Sequence, residues 1–186
     1  MTPHKTPKKY SPKNPFIFDL AHLWGCSEGT TEKYEFAAKA VFENPGVDAA
    51  SDLQAELTFI KLKGSVSVII NNLKVKVKFS CGKCLKDMVE EVIVPQAECE
   101  FRSHREHDDQ MNDIYYIDTK DKTVDLSEVF RQEIILHFPL IPVCSKRCKG
   151  LCPVCGKDRN KTPCKCRRAV PETHQPFKNL KKLIKK

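Results

Sequence analysis

Eight of the ten cysteines in this chain fall in four close pairs: Cys81/Cys84, Cys144/Cys148, Cys152/Cys155 and Cys164/Cys166. Two thiolates a few residues apart at a tight turn supply half of a tetrahedral metal site, so four pairs match two four-cysteine zinc sites. Zinc bonds sulfur at about 2.3 Å, which sets neighbouring sulfurs roughly 3.7 Å apart. In Cys81-Gly82-Lys83-Cys84 the glycine is available for the positive dihedral that such a turn uses. Cys152-Pro153-Val154-Cys155-Gly156 has the same form, with Gly156 just past the second ligand. Eight residues then lead to Cys164-Lys165-Cys166, so Cys152, Cys155, Cys164 and Cys166 make a local site, and Cys144 and Cys148 pair with Cys81 and Cys84. A competing partition puts Cys144, Cys148, Cys152 and Cys155 on one ion and leaves Cys81 and Cys84 with Cys164 and Cys166. Only Lys149-Gly150-Leu151 separates the adjacent pairs, so both partitions are sterically open. Neither set includes a histidine or carboxylate or an open position, which marks structural rather than catalytic zinc. A redox dithiol at Cys81/Cys84 and an iron–sulfur cluster are the weaker alternatives. Cys26 and Cys99 have no close partner and read as packing residues.

Six of the paired cysteines lie in Cys144–Cys166, which is also where positive charge gathers. From Ile141 to Lys186 there are 14 Lys and Arg against Asp158 and Glu172 alone, whereas the first 140 residues are net acidic. Each divalent ion held by four thiolates subtracts about 2 charges, and the tail still stays near +8. A concentrated cationic surface suits a polyanion, most often nucleic acid. The longest apolar runs, such as Ile134-Ile135-Leu136, fall far short of the ~20 residues that cross a bilayer, and no signal peptide is apparent. The expectation is a cytoplasmic protein with no membrane partner, in a compartment where thiols stay reduced and paired cysteines bind metal.

Residues 1–15 hold four lysines and no acid and read as a disordered basic arm. Phe16–Leu20 suggests an edge strand, and Glu32–Phe42 and Leu53–Leu62 read as strands. After Gly64, Val66, Val68 and Ile70 alternate with their neighbours, and Asn71-Asn72 offers a hairpin turn. Lys74, Lys76 and Lys78 then alternate with Val75, Val77 and Phe79, giving a cationic and an apolar face. Glu90–Val94 and Ala97–Phe101 read as two returning strands broken at Pro95. Ile114–Ile117 suggests a short strand within a polar loop. Asp125-Leu126-Ser127-Glu128 has the signature of a helix start, and Pro139 ends that helix. The expected fold is α+β. It comprises an antiparallel β-sheet domain over 16–143 with one principal helix near 125–138, a cysteine-rich zinc segment over 144–168, and a basic tail over 169–186. In that tail Phe177, Leu180 and Ile184 recur at helical spacing.

Other candidates carry less. His104 and His107 with Asp108 and Asp109 fit a solvated loop better than a metal site. The Lys74/Lys76/Lys78 stripe fits the outer face of a sheet. Tyr115 and Tyr116 alternate, so one belongs to the core rather than to a base-stacking platform. Nucleophile elbow, Walker loop and dinucleotide fingerprint are all missing from the sequence, which leaves no active site and no small-molecule substrate to propose.

Cys81-Gly82-Lys83-Cys84-Leu85, the segment from Glu133 to Pro139, and Cys148-Lys149-Gly150-Leu151-Cys152-Pro153-Val154-Cys155-Gly156 with Asn160, Cys164 and Cys166 resemble the YceD family. These are the large-ribosomal-subunit RNA accumulation proteins of bacteria and plastids. Pro176–Leu183 is similar to that family's basic ending, and Asn14-Pro15-Phe16-Ile17-Phe18-Asp19 resembles its actinobacterial branch. The resemblance implies a non-enzymatic role in accumulation or maturation of large-subunit rRNA. With the charge pattern, it makes ribosomal RNA or a pre-ribosomal large subunit the expected partner. Lys146, Arg147, Lys149, Lys157, Arg159, Lys161, Lys165, Arg167 and Arg168 are the candidate phosphate contacts. The alternative is a zinc-stapled protein–protein adaptor for a ribosomal protein or RNA polymerase.

Overall fold

The computed structural model describes residues 14–42, 46–103 and 115–166. Chain order gives β1 (Ile17–Asp19), α1 (Ala21–Trp24), β2 (Thr31–Lys39), β3 (Asp52–Lys61) and β4 (Ser65–Ser80). β5 (Asp87–Arg102), β6 (Tyr115–Tyr116), β7 (Thr123–Asp125) and α2 (Ser127–Leu136) follow. Strands β2 to β6 form one sheet in sequence order, and β1 pairs with β7 in a separate two-stranded ribbon. The large sheet is antiparallel except at its end, where β6 runs parallel to Phe101 and Arg102 of β5. It is therefore mixed rather than purely antiparallel. Residues divide into two compact units, Met1–Ser80 with Asp87–Pro142, and Cys81–Lys86 with Val143–Lys186. No helix among the described residues is long and apolar enough to cross a membrane.

The hairpin turn expected at Asn71-Asn72 does not form. β4 runs unbroken for 16 residues, and β5 runs through Pro95 for another 16. Asn72 takes a φ of 52° inside its strand. Asn71 pairs with Gln96 and Leu73 with Val94, which sets Asn72 across from Pro95. On the other side of β4 the register with β3 slips between Gln54 and Glu56. Three irregularities thus share one line across the sheet, and the Asn72 amide donates to Glu56 Oε1 at 3.1 Å along it. Proline lacks the N–H that a ladder needs, and asparagine tolerates the left-handed region, so each disturbs the pairing least when set beside the other. Beyond the line Leu73, Val75 and Val77 continue to bury, which favours extending the strand over turning it. The tight turn between β3 and β4 uses Gly64 instead, at a φ of 74°.

One face of the sheet is apolar: Leu53, Leu57, Phe59, Val66, Val68, Ile70, Leu73, Val94 and Phe101 are buried there. Phe16, Leu20 and Leu23 cover it from the N-terminal side, joined by Leu126, just before α2, and by Val129, Phe130 and Ile134 within it. Phe16, Phe36 and Phe130 meet at 5.5 to 5.9 Å between ring centroids. α2 starts where the sequence suggests, but its N-cap is Leu126, with no side-chain cap; Asp125, the last residue of β7, accepts the Ser127 N–H at 2.8 Å instead. α1 is not marked in the sequence; it is one turn long, and Trp24 at its end lies under the Lys61 ammonium, 3.2 Å from the ring centroid. On the outer face Lys74, Lys76 and Lys78 are exposed, with Lys76 opposite Glu91 and Lys78 paired to Asp48 at 3.2 Å. Tyr115 and Tyr116 are both half-buried, so neither is a core residue by alternation; the Tyr115 ring packs against the core 5.4 Å from Phe101, and its hydroxyl donates to Gln132.

Candidate metal centres

Two turns in the second unit share one backbone plan. In the first the Cys81 N–H donates to the Lys86 carbonyl at 2.9 Å and the Leu85 N–H to the Cys81 carbonyl at 2.9 Å. In the second Cys152 donates to Lys157 at 2.8 Å and Gly156 to Cys152 at 2.9 Å. The residue just past the second cysteine carries the positive φ in both, 60° at Leu85 and 70° at Gly156. The left-handed position of the first knuckle is thus Leu85 and not Gly82, the glycine expected to fill it. Each turn presents two sulfurs on the same side, as a tetrahedral ion requires.

The structure gathers the eight sulfurs as Cys81, Cys84, Cys144 and Cys148, and as Cys152, Cys155, Cys164 and Cys166, each set lying within 4.8 Å of one another. This is the first of the two partitions that the spacing leaves open. In the first set Cys81 and Cys148 are 3.9 Å apart and Cys84 and Cys144 are 3.6 Å apart, close to the ~3.7 Å edge of a zinc–sulfur tetrahedron. Cys81, Cys84 and Cys148 are buried and Cys144 is exposed. The second set is more open, with Cys152 buried, Cys164 half-buried and Cys155 and Cys166 exposed.

Electrostatics within the sets favour a cation. The backbone N–H groups of Cys144, Cys84 and Lys83 hold the Cys81 thiol down at about 6, while the proton shared with Cys84 pushes Cys144 up to about 12. In the second set the backbone N–H groups of Cys155 and Val154 bring Cys152 to about 6, and the bond with Cys155 pushes Cys166 to about 11. Cys81 in the first group and Cys152 in the second are prepared as thiolates, whereas Cys144 and Cys166 resist losing their protons because the charges would crowd together. A divalent ion removes that obstacle. Burial works to raise Cys148, yet the Asn160 amide and the Gly150 N–H bring it net below its ordinary value.

Packing gives the same answer. Among the described residues of this unit, the buried hydrophobic side chains are Cys81, Cys84, Cys148 and Cys152, all members of the sulfur sets. With no aliphatic core, a fold of this kind needs its ligand bonds to hold it. Gly150 lets the segments approach: the Leu151 N–H donates to the Lys83 carbonyl at 2.9 Å, and Arg159 donates to Gly150 at 3.0 Å. All-sulfur sets of four leave no position for a reacting water, so the residues fit structural zinc.

The YceD family model, described as large ribosomal RNA subunit accumulation protein, matches residues 71–184, a span that takes in both sulfur sets. The chain belongs to the YceD family. A YceD relative from Zea mays, "Large ribosomal RNA subunit accumulation protein YCED homolog 1, chloroplastic", is 35% identical over 76 residues. That match covers 40% of this chain and 26% of the relative, so the chain spans about a quarter of the maize protein's length. No solved structure matches. The YceD-matched region begins inside β4, leaving β1 to β3 outside the family model.

Lys146, Arg147, Lys149, Lys157, Arg159, Lys161 and Lys165 are all exposed in the second unit. Arg167 and Arg168 lie outside the described residues, as do the basic arm through residue 13, the His104–Asp109 cluster and Phe177, Leu180 and Ile184. Two cations absent from the sequence-based set join these: Lys83 and Lys86 are exposed on the first knuckle, which belongs to this unit rather than to the strands it connects. Their signal in the sequence is only their place within and just after a cysteine pair whose partners lie far along the chain. Outside the sets, Cys26 donates to the His22 carbonyl at 3.4 Å, and half-buried Cys99, pushed up to about 12 chiefly by burial, packs against the core.

Proposed function

We propose that this protein supports accumulation of large-subunit ribosomal RNA without catalysing a reaction. It does so by binding rRNA or a pre-ribosomal particle through a cationic surface that two zinc ions hold in shape. The family description and the name of the maize relative support the target. The observation that carries the mechanism is the make-up of the second unit among its described residues, where the buried hydrophobic side chains are cysteines while the lysines and arginines are exposed. With Lys83 and Lys86 added and two zinc–thiolate centres subtracted, the unit carries roughly +10 charges. Its place is with the ribosomes of the cytoplasm.

Pairing of lysine and arginine with phosphate gives affinity that falls steeply with salt, and little reading of sequence. Lys83, Lys86, Arg147, Arg159 and Lys161, together with Arg167 and Arg168, are the side chains proposed to meet the RNA backbone. Arg159→Glu with Lys161→Glu is expected to weaken association with rRNA. The log–log slope of affinity against salt should flatten by about 1 for each phosphate that is no longer neutralised. A filter-binding or fluorescence titration at several salt concentrations checks this; an unchanged slope removes those side chains from the interface.

Leu85 and Val154, 66% and 59% exposed, favour a second reading in which the knuckles dock on a protein, either a ribosomal protein or RNA polymerase. Pull-down from nuclease-treated lysate separates the two: an adaptor keeps its partner, and an RNA binder loses it.

A further inference from the structure

Asn160 lies in the loop between Cys155 and Cys164, the loop that closes the second sulfur set, yet its side chain serves the first. Its Oδ1 accepts the Lys149 N–H at 2.8 Å. Its Nδ2 donates to Asp158 Oδ1 at 2.8 Å and to Cys148 Sγ at 3.4 Å. The Lys149 N–H can only donate and the Asp158 carboxylate only accepts, so the amide has one orientation that satisfies both. In that orientation the remaining amide proton faces the sulfur. The Asn160 N–H is itself tied to Asp158 Oδ1 at 2.9 Å, and the neighbouring Arg159 N–H to Gly150 at 3.0 Å. No side chain from residue 156 to residue 163 is buried. What fixes this loop is its hydrogen bonding and the pair of ligands at each end.

We propose, on the reading that both sets bind zinc, that Asn160 is a positioning residue that couples the two centres. Closing the second set around its ion fixes the loop, the loop aims the Asn160 amide, and the amide strengthens the hold of Cys148 on the first ion. Four thiolates around a divalent ion carry excess negative charge on sulfur, and an N–H directed at one of them disperses it. With the loop ends released, the exposed amide exchanges that sulfur for water. Linkage makes the effect reciprocal, so the first ion tightens the second by the same factor.

The test uses the full-length zinc-loaded chain, with metal content measured by mass spectrometry and release followed in a chromogenic chelator. Asn160→Ala keeps all eight thiolates. It is expected to hold two ions but to release the one in the first centre about 10-fold faster, in the range typical when a metal ligand is deprived of its hydrogen-bond partner. Cys164→Ser disables the second centre and should speed release from the first to a similar degree. The double variant should release no faster than either single one. Additive effects, or native release rates in Asn160→Ala, overturn the coupling. Cadmium NMR gives an independent reading on Asn160→Ala with both centres filled: the resonance of the first centre moves, and an unmoved resonance overturns the proposal. A native chain that carries no zinc removes the metal reading and the coupling with it; two ions with additive effects removes the coupling alone.

Discussion

Gly150 is held at a φ of 69°, and a Cβ built there would come within 2.9 Å of the Lys83 carbonyl oxygen. That oxygen is backbone and accepts the Leu151 N–H, so it has no easy retreat. Gly150→Ala is therefore expected to cost the second unit about 2–4 kcal/mol, from left-handed strain plus overpacking. Thermal unfolding of the zinc-loaded protein, with metal content measured alongside, checks this destabilisation. Leu85 accepts the same left-handed region without glycine's freedom, and 66% of its surface is exposed. The spacing of the cysteines was readable from the chain, and so was Gly156 as the special residue of its turn. Leu85 was not readable, because a neighbouring glycine at position 82 offered a more obvious candidate. Asn160 stands among the residues that carry the family resemblance, but its role is not legible there: its partners Lys149 and Cys148 are ten or more residues away and are brought to it only by the folded loops.

Among the elements, β2, β3 and the two halves of β5 are legible as strands, alternation gives the apolar face of β4, and the Asp-Leu-Ser-Glu pattern locates α2. Asn71-Asn72 and Pro95 each suggest a strand end in the sequence, because each, alone, usually marks one. Placed opposite each other they become a bend that two long strands share with a slip in β3. Asn72 is the member of that bend whose side chain matters to its backbone. Asn72→Val would put a β-branched residue at a φ of 52° and remove the bond to Glu56, at an expected cost of about 1–2 kcal/mol. Denaturant titration of the variant reads that cost directly; no change in midpoint would show that the bend tolerates any residue there. The parallel pairing of β6 had no local signal, since two residues are too few to show a period.

For the molecule as a whole, the two units rest on different forces. The first buries a contiguous set of Phe, Leu, Ile and Val, and the second buries sulfur. Structural zinc contributes on the order of 10–16 kcal/mol in small fingers, as much as a whole domain's stability. Stripping the metal with a chelator is expected to unfold the second unit and leave the first folded. Hydrogen exchange separates the two: the Cys152 and Leu151 amides should become unprotected while those of Val68 and Val75 in β4 stay protected. Retention of protection at Cys152 would mean that the turns stand without an ion. The order of residues is enough to establish that eight thiolates come in pairs, that charge concentrates with six of them, and that a β-rich body holds the first pair and precedes the rest, because spacing, charge and alternation are local properties. Which pairs meet, that Cys81–Lys86 belongs with a segment some sixty residues further on, and that one asparagine reaches from one sulfur set to the other emerge only in the folded chain. Those are choices among equally spaced partners, and only the global path of the chain can make them.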